Sequence, residues 1–354
     1  MRCSAFAEGL SSIFLGKWKM IVSVIICTYD PGAFLREQLA ALNAQILPSE
    51  LYMEVIIADN HPSGLNKSIV EEFEFKRLHC AYLHEKRVGK CFAANAGILA
   101  SKGEVLIFTD DDVLPPPRWV TAMAEPILSG LADVVAGGVK IPEQLRSRLI
   151  GTAEKGIVLD NVQSYSFDEG LIGANMAISR RCLEIVRGFD PELGPGRLGC
   201  GEDSLFGMQL REAGYRFRWA STEGTVCHHF ATERLKKSAL IQYAINLGKV
   251  RAYLNHHWHH KDTRFPRVRL LISVLGLIYV RLRWANETNK VEGIFDKEMH
   301  QYINMGYFRH YIYERRRIRN YETHGLEKIA GVKDARLMRG AAIDADGQFA
   351  KGDH

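Results

Sequence analysis

The sequence lacks the short motifs that most often identify a phosphate-binding loop. No G-x-G-x-x-G follows the first apolar run, and no G-x-x-x-x-G-K-[ST] occurs anywhere in the chain. Without these glycines, the dinucleotide-binding fold and the P-loop lose their main support. A bound diphosphate would then depend on a metal ion rather than on a nest of backbone amides.

Cysteine is sparse and poorly placed for cross-linking. The seven cysteines are odd in number and scattered, and no two of them form a C-x-x-C pair. That pattern favours a reducing compartment, and it argues against both a disulfide framework and a zinc cluster.

Long hydrophobic runs are also missing. The run most suggestive of lipid, LLISVLGLIYV at 270–280, has about eleven residues, whereas a helix needs roughly twenty to span a bilayer. It is interpreted either as a buried core helix or as a helix in the membrane interface with its flanking arginines on headgroups, and we favour the second. Residues 1–19 show no clean cleavage site for a signal peptide, so we interpret them as a leader outside the folded unit.

The composition is that of a soluble globular protein, with 354 residues, 47% of them apolar and 25% charged. This length predicts one to three domains. Residues 1–230 carry 23 basic and 28 acidic side chains, whereas residues 231–354 carry 23 and 13. A basic rear part suits anionic phospholipid, an anionic glycan or nucleic acid, and a solvated helical surface with no partner is an equal alternative.

Strand and helix patterns alternate over the front two thirds of the chain. MIVSVIICTY at 20–29 is a continuous β-branched run, as in a strand buried on both faces, and helical spacing follows it at 30–45. Strands separated by helices predict right-handed crossovers and a mainly parallel sheet in an α/β fold. Further strands are predicted at 51–60, 80–85, 104–110, 133–141 and 171–179, helices at 65–76 and 89–101, and a variable excursion at 142–170.

Polar side chains follow the predicted strands at the points where they end. Ligands of an open parallel sheet bind outside the carboxyl ends of its strands. Crowded carboxylates need a cation to be stable together, and a hard divalent ion with oxygen ligands supplies one. The sequence therefore predicts a nucleoside diphosphate held at this rim by Mg²⁺ or Mn²⁺. The residues at the three strand ends are Thr28, Tyr29 and Asp30, then Asp59 and Asn60, then Asp110, Asp111 and Asp112.

Six segments stand in order along the chain: VSVIICTYD, VIIADN, EKRVGKCFAANAGI, FTDDDVLP, RGFDPELG and CGEDSLFGMQLREAGYRF. Together they resemble the signatures of family 2 glycosyltransferases of the A-type fold (GT-A), inverting enzymes that use nucleotide-activated sugars. The resemblance covers roughly residues 20–235. It implies a mainly parallel twisted sheet with flanking helices, divided into a Rossmann-like nucleotide-sugar half at 20–115 and an acceptor half at 116–235. Behind it we expect a basic helical C-terminal extension at 236–325 and a flexible tail at 326–354.

On the donor side, the resemblance implies that Asp59 hydrogen-bonds the nucleotide base, usually uracil, and that Lys90 faces the nucleotide. Asp110 matches the aspartate nearest the ribose, and Asp111 is expected to assist it. The full implied set of nucleotide-sugar-binding residues is Thr28, Tyr29, Asp30, Asp59, Lys90, Asn95, Asp110 and Asp111.

The resemblance also implies a metal site and a catalytic base. Asp112 matches the ligand of a Mn²⁺ or Mg²⁺ ion, with Asp110 and His228 as further candidates. Asp203 matches the base, with Glu202 beside it, and it precedes a predicted helix whose free amides and dipole would keep it ionised. The implied reaction is a single displacement, in which the metal neutralises the leaving diphosphate, Asp203 accepts the proton of an acceptor hydroxyl, and the anomeric carbon inverts.

The acceptor side is less specific in the sequence. Gly173, Asn175 and Trp219 are implied to line it, although backbone packing accounts equally well for such a glycine and core packing for the tryptophan. For His228 the alternative is a histidine that merely ends a strand. The histidine-rich segment NHHWHH at 255–260 is interpreted as a solvated or interfacial face rather than as a chelating site.

The predicted function is the transfer of a sugar from a nucleoside-diphosphate sugar, with a UDP-sugar favoured, to a hydroxyl of a glycan or lipid-linked acceptor in cell-surface polysaccharide or glycolipid synthesis. We predict a cytoplasmic protein, peripheral on the anionic inner face of the plasma membrane, with no nucleic-acid partner. One alternative is a haloacid-dehalogenase-like phosphatase, because FTDDDV also satisfies its D-x-D-x-[TV] signature. Others are a sugar-phosphate nucleotidylyltransferase and an inactive glycosyltransferase-like binding protein.

Overall fold

The computed structural model describes residues 20–30, 34–75, 78–142, 171–285 and 294–322. The predicted leader at 1–19, nearly all of the excursion at 142–170 and the predicted tail at 326–354 lie outside the described residues.

A seven-stranded sheet with the order β3-β2-β1-β4-β8-β6-β9 forms the centre of the fold. The four strands β3, β2, β1 and β4 run parallel, β6 and β9 pair in parallel, and only β8 is antiparallel to its neighbours. The predicted mainly parallel sheet is therefore confirmed. Its strands are β1 (Met20–Thr28), β2 (Leu51–Asp59), β3 (His79–His84), β4 (Val105–Asp110), β6 (Val134–Ala136), β8 (Asn175–Ser179) and β9 (Phe217–Trp219).

Helices cover both faces of this sheet, which is why its strands are apolar on both sides. Val24 of β1 packs towards one face and Ile25 towards the other, and both are fully buried. One face is covered by α1 (Leu35–Asn43), α2 (Lys67–Glu71) and α4 (Trp119–Leu128), the other by α3 (Lys90–Ala100) and α5 (Glu202–Glu212).

Three predicted elements differ from the structure. The helix predicted at 65–76 is only the short α2, and the strand predicted at 171–179 begins at Asn175. The single strand predicted at 133–141 is two strands, β6 and β7 (Val139–Lys140), in different sheets. The two glycines between them bring the backbone so close to its neighbours that a Cβ at Gly137 would lie 2.1 Å from the Asn175 side chain. The chain changes sheets at this crossing, and β7 joins β5 (Val113–Leu114) and β10 (Val226–His228) in a small second sheet.

The C-terminal extension consists of three helices, α6 (Lys237–His257), α7 (Pro266–Arg283) and α8 (Asp296–Glu314). α6 and α8 approach through two glycines, since a Cβ at Gly248 would lie 2.1 Å from the Ile303 carbonyl oxygen. The extension is attached to the front part of the chain by hydrogen bonds in which the hydroxyls of Tyr253 and Tyr321 donate to Asp190, at 2.6 and 2.5 Å. No helix among the residues described is both long and apolar enough to cross a bilayer.

Two sequence-based interpretations of the extension are wrong. The histidines at 255–260 do not form a solvated face, because His257 is fully buried with its Nε2 2.8 Å from Glu314 and His256 is 5% exposed. α7 is not a buried core helix either: it packs against α8, and its buried residues are only Pro266, Ser273 and Val280.

Candidate active site

The predicted strand ends meet at one edge of the sheet. The register of the parallel strands sets Thr28 opposite Asp59 and Cys27 opposite Asp110. Because parallel strands end at the same edge, the polar residues of β1, β2 and β4 form one rim. The turn after β4 carries the aspartate run 110–112, and the N-termini of α3 and α5 face this rim from the other side.

Lys90, at the start of α3, joins the two sides of the site. Its ammonium group forms an ion pair with Asp110 and lies 3.8 Å from Glu202 Oε1. Burial alone would lower the pKa of Lys90, but the charges of Asp110 and Glu202 outweigh it and hold this pKa well above its usual value. The lysine is therefore a permanent cation between a donor-side and an acceptor-side carboxyl group.

Asp111 turns back onto strand β1. The Thr28 hydroxyl donates a hydrogen bond to its Oδ2 at 2.5 Å. Burial, reinforced by the neighbouring aspartates, raises the pKa of Asp111 to about 7, although the Thr28 hydrogen bond and Lys90 act the other way. The middle residue of the run thus has a structural partner in β1.

Asp112 faces an imidazole and a guanidinium group. Its Oδ2 lies 3.3 Å from His228 Nε2 and 3.1 Å from an Arg234 guanidinium nitrogen. β5 and β10 pair here, with Val113 opposite His228, so the small sheet brings the histidine to the aspartate. Burial would raise the pKa of Asp112, but hydrogen bonding and charge from His228 and Arg234 prevail and lower it. Asp112 is consequently an anion.

The donor set at Asp112 fits a divalent metal ion. A carboxylate oxygen and an imidazole nitrogen lie within ligand-to-ligand distance, and the buried Nδ1 of His228 has no hydrogen-bond partner. Mg²⁺ is commonly held by one or two protein ligands, with substrate phosphates and waters in its other positions. In the part of the chain that the structure describes, no three His, Cys, Asp or Glu side chains are grouped to hold a metal, so the fit involves two protein ligands only.

Asp203 lies in the first turn of α5, where its carboxylate is held by backbone amides. Gly173 N donates to its Oδ2 at 2.9 Å and Ser204 N to its Oδ1 at 2.7 Å. The helix α5 begins two residues earlier than predicted, at Glu202, so Asp203 lies inside the first turn rather than before it. Burial raises the pKa of Asp203 despite these amides. The sequence-based expectation that the helix terminus alone keeps it ionised is therefore corrected: burial is the larger effect.

Glu202, like Asp203, is a buried carboxyl group whose pKa is raised mainly by burial. Burial, with the charge of Asp203 added to it, raises the pKa of Glu202 to about 7, and Lys90 opposes the rise. Two neighbouring carboxyl groups with raised pKa values at one site favour proton transfer near neutral pH.

A glycine-rich loop positions this acidic pair. Gly194, Gly196, Gly199 and Gly201 all have φ between 80° and 99°, a region that other residues rarely adopt. α6 of the extension packs directly on the loop, since a Cβ at Gly201 would lie 2.4 Å from Val250 Cγ1. The extension is thus part of the scaffold that holds Glu202 and Asp203.

Asp59 is fully buried at the end of β2. It accepts hydrogen bonds from the backbone of His61 and Asn66 and from the Tyr82 hydroxyl, each at 2.9 Å. The carboxylate therefore orders the loop after β2, and its contact with a base stays a prediction. The next residue, Asn60, bonds the backbone of Gly89 and so places the turn before Lys90.

Tyr29 and Asp30 are the exposed members of the rim. The Tyr29 side chain is 47% exposed and its ring lies 5.3 Å from that of His61, in a tilted arrangement. Asp30 is exposed beside it. This part of the rim is open to a ligand, in contrast to the buried Asp59.

Three predicted site residues make contacts within the protein, and their ligand roles stay predictions. Asn95 exchanges two hydrogen bonds with the backbone of Phe189, at 2.8 and 2.9 Å. Asn175 is fully buried, where it accepts from Trp119 Nε1 and donates to two backbone carbonyls. Trp219 packs against the core beneath the α5 face of the sheet. Gly173, by contrast, lies beside Asp203, because a Cβ on it would be 3.5 Å from the Asp203 side chain.

Two residues near the site were missed by the sequence-based prediction. Arg234 pairs with Asp112, and Tyr243 of α6 lies close enough to Asp203 and Cys200 for their charges to contribute to raising its pKa to about 12, after burial as the main cause. No local motif distinguishes either residue. The only available signal is their position just after β10, in the basic part of the chain.

Comparison with known proteins places these features in a family. Residues 23–176 match the family model described as "Glycosyl transferase family 2". Chondroitin synthase of Escherichia coli is 28% identical over 246 residues, covering 59% of this chain and 34% of that protein. The succinoglycan biosynthesis protein ExoM of Rhizobium meliloti (strain 1021) is 28% identical over 125 residues, covering 34% of this chain and 38% of that protein. The chain thus spans little more than a third of the length of either relative.

The fold has a solved counterpart. The mannosyltransferase PcManGT from Pyrobaculum calidifontis, solved in complex with GDP-Man and Mn²⁺, superposes with a TM-score of 0.52 at 17% identity, over 84% of this chain and 88% of that one. At this identity the likeness supports the fold alone. The family match and the fold together favour a glycosyltransferase over the phosphatase and nucleotidylyltransferase alternatives. Residues 23–176 therefore resemble family 2 glycosyltransferases, and the chain has the GT-A fold.

Proposed function

We propose that the protein is an inverting glycosyltransferase, which moves a sugar from a nucleoside-diphosphate sugar to an acceptor hydroxyl. The observation that carries the proposal is the position of Lys90 between Asp110 and Glu202. It makes the strand-end rim, suited to a nucleotide, and the buried acidic pair, suited to a base, two sides of one site. A UDP-sugar is the favoured donor, on the resemblance of the rim residues.

The residues supply each part of the reaction. The rim of β1, β2 and β4 binds the nucleoside part of the donor, and Lys90 holds the Asp110 carboxylate in place. Asp112 and His228 would hold Mn²⁺ or Mg²⁺, which when bound neutralises charge on the leaving diphosphate. Asp203 accepts the proton of the acceptor hydroxyl, the freed oxygen bonds to the anomeric carbon, and the carbon–diphosphate oxygen bond breaks on the opposite face. Configuration at that carbon inverts without a covalent intermediate on the protein.

The names of the relatives support the proposed acceptor class. Both are named for polysaccharide synthesis, chondroitin in one and succinoglycan in the other. We therefore propose a glycan or lipid-linked glycan as acceptor, and a cytoplasmic protein peripheral on the inner face of the plasma membrane. The matches cover only about a third of each relative, so the linkages that the relatives form are not part of this proposal.

A ligand screen tests the donor and the metal together. Thermal melting of the full chain would be measured with UDP, GDP, dTDP and CDP, each with and without Mn²⁺, because a ligand that binds only the native state raises its melting temperature. We expect one nucleotide, UDP, to give the largest shift and the shift to require Mn²⁺. A metal-independent shift would remove Asp112 from the proposed role, and absence of any shift would overturn the donor class.

A base variant tests the chemistry. Asp203→Asn keeps the size of the side chain but cannot accept the acceptor's proton, so we expect turnover to fall at least about a hundredfold, with nucleotide binding retained. Turnover of Asp203→Asn at the wild-type rate would show that another group is the base. Asp262→Asn changes an aspartate of the extension that is 82% exposed, and is the matched control, for which transfer is expected to continue.

A further inference from the structure

The outer face of α7 carries a continuous apolar stripe. Seven large apolar side chains on it are between 50% and 78% exposed. Their spacing of three and four residues places them on one side of the helix, opposite the buried Ser273 and Val280. The members of this α7 stripe are Val268, Leu271, Ile272, Leu275, Ile278, Tyr279 and Leu282.

A helix that is apolar on both faces is stable when both faces are covered. α8 covers one face of α7, with Gly276 against the side chain of Gln301, and nothing among the described residues covers the stripe. Soluble proteins rarely expose a contiguous apolar surface of this kind unless it meets a partner or a membrane. The stripe therefore needs an occupant.

The charges around the stripe are all of one sign. Residues 264–285 contain five arginines and no aspartate or glutamate. Three of the arginines, Arg264, Arg267 and Arg269, precede or begin α7, are exposed, and form no ion pair with any described residue. Arg281 and Arg283 lie at the other end, where Arg281 pairs with Glu298. The apolar stripe is thus bracketed by cations at both ends.

This charge pattern decides between the possible occupants. The repeat Val268, Leu271, Leu275, Ile278 and Leu282 would also suit a helix of a second copy, since it follows coiled-coil spacing. A second α7 would, however, bring arginines against arginines with no carboxylate on either helix to neutralise them. An anionic lipid surface supplies both missing partners, acyl chains for the stripe and phosphates for the arginines.

We propose that α7 is a membrane-docking helix, which lies in the plane of an anionic lipid surface with its stripe in the acyl boundary. Its 18 residues correspond to about 27 Å, and arginines at both ends reach headgroups at the same depth only when the helix lies flat. Tyr279 and the neighbouring Trp284 ring, 5.9 Å apart, are side chains suited to that interface.

The docking surface is coupled to the active site through packing. α7 packs on α8, α8 on α6, and α6 on the loop that carries Glu202 and Asp203. A lipid-linked acceptor, which rests on the proposed function, would then meet a base whose scaffold is fixed to the same membrane. The docking itself does not depend on that function, and the two fail in different assays.

The test is flotation of the full chain with vesicles. We expect it to float with vesicles of about three parts phosphatidylcholine to one part phosphatidylglycerol, and to remain unbound with phosphatidylcholine alone. The double variant Leu271→Glu/Leu275→Glu should lower the bound fraction about tenfold. Its matched control, Ile46→Glu/Leu131→Glu, changes residues of similar exposure, 55% and 53%, far along the chain from α7, and should bind as wild type.

A second variant keeps the test decisive if the first folds poorly. Arg264→Gln/Arg267→Gln/Arg269→Gln leaves the stripe intact, and should weaken binding and reduce its dependence on salt. The proposal is overturned if the wild-type protein does not bind anionic vesicles, or if the stripe variant floats as the wild type does. It is also overturned if light scattering shows that the wild type is a dimer and the stripe variant a monomer, while neither binds vesicles. Nucleotide-induced melting shifts, measured on every variant, show separately whether the donor site is intact.

Discussion

Replacement of Lys90 by methionine tests whether the donor rim and the base form one electrostatic unit. Lys90→Met keeps the length and the apolar stem of the side chain, and removes the charge that links Asp110 to Glu202. Lys90 also lowers the pKa of both Glu202 and Asp203, which burial raises. Without it, both carboxyl groups should take up a proton at higher pH than in the wild type.

The expected size follows from the geometry. Lys90 Nζ lies 3.8 Å from Glu202 Oε1, and the two side chains are 22% and 10% exposed. Unit charges at that distance attract by about 4 kcal/mol at an effective dielectric constant of ~20. Removal of one partner of such a buried pair destabilises the folded protein by about 3–5 kcal/mol, because the other charge is left buried and uncompensated. A loss of about 3 kcal/mol in the transition state corresponds to a roughly hundredfold fall in kcat/KM at neutral pH.

The assay is the pH dependence of kcat/KM for sugar transfer. A base works only when deprotonated, so activity falls as pH decreases through its pKa, and a raised pKa moves this acid limb to higher pH. Lys90→Arg retains the charge and should keep the limb near its wild-type position. If Lys90→Met, shown to be folded by urea denaturation, gave the wild-type limb, the electrostatic link between the two sides would be refuted.

Three further predictions follow from the site and its scaffold. Asn175→Leu leaves Trp119 Nε1 and the Gly224 carbonyl without this partner and removes one of two hydrogen bonds to the Gly138 carbonyl, and should lower the free energy of unfolding by about 3 kcal/mol in urea denaturation; an unchanged midpoint would contradict its buried role. Gly201→Ala forces a Cβ into Val250 at φ +87° and should reduce both stability and turnover, with partial recovery in the double variant with Val250→Ala; no recovery would mean that the φ strain, not the contact, dominates. Arg234→Gln removes a cation from Asp112, so calorimetry should show tighter Mn²⁺ binding by the nucleotide-free protein; weaker binding would place Arg234 among the groups that support the ion.

The features of the site that could be predicted are those that depend on local sequence patterns. Continuous β-branched runs predicted the buried parallel strands. The aspartates at the end of β4 predicted a polar rim, because neighbouring parallel strands end at the same edge of a sheet. The register of Cys27 with Asp110 and of Thr28 with Asp59 confirms this reasoning.

The contacts that were missed are those between residues distant in sequence. Asn95 and Asn175 were predicted to lie in the ligand site, and their hydrogen bonds to Phe189 and Gly138 were not predicted. His257 was predicted to be solvated, because its buried partner Glu314 is 57 residues away in the sequence. Nothing within a few residues of these side chains indicates those contacts.

By itself, the sequence determined the strands, the carboxylates at their ends, the basic character of the extension and the family resemblance, since each depends on residue type and local spacing. Only the tertiary structure decided that burial raises the pKa of Asp203, that Lys90 joins Asp110 to Glu202, and that the apolar run at 270–280 faces outward on α7. These features depend on which surfaces meet when the chain folds. Burial and charge pairing are properties of that packing and have no local signature.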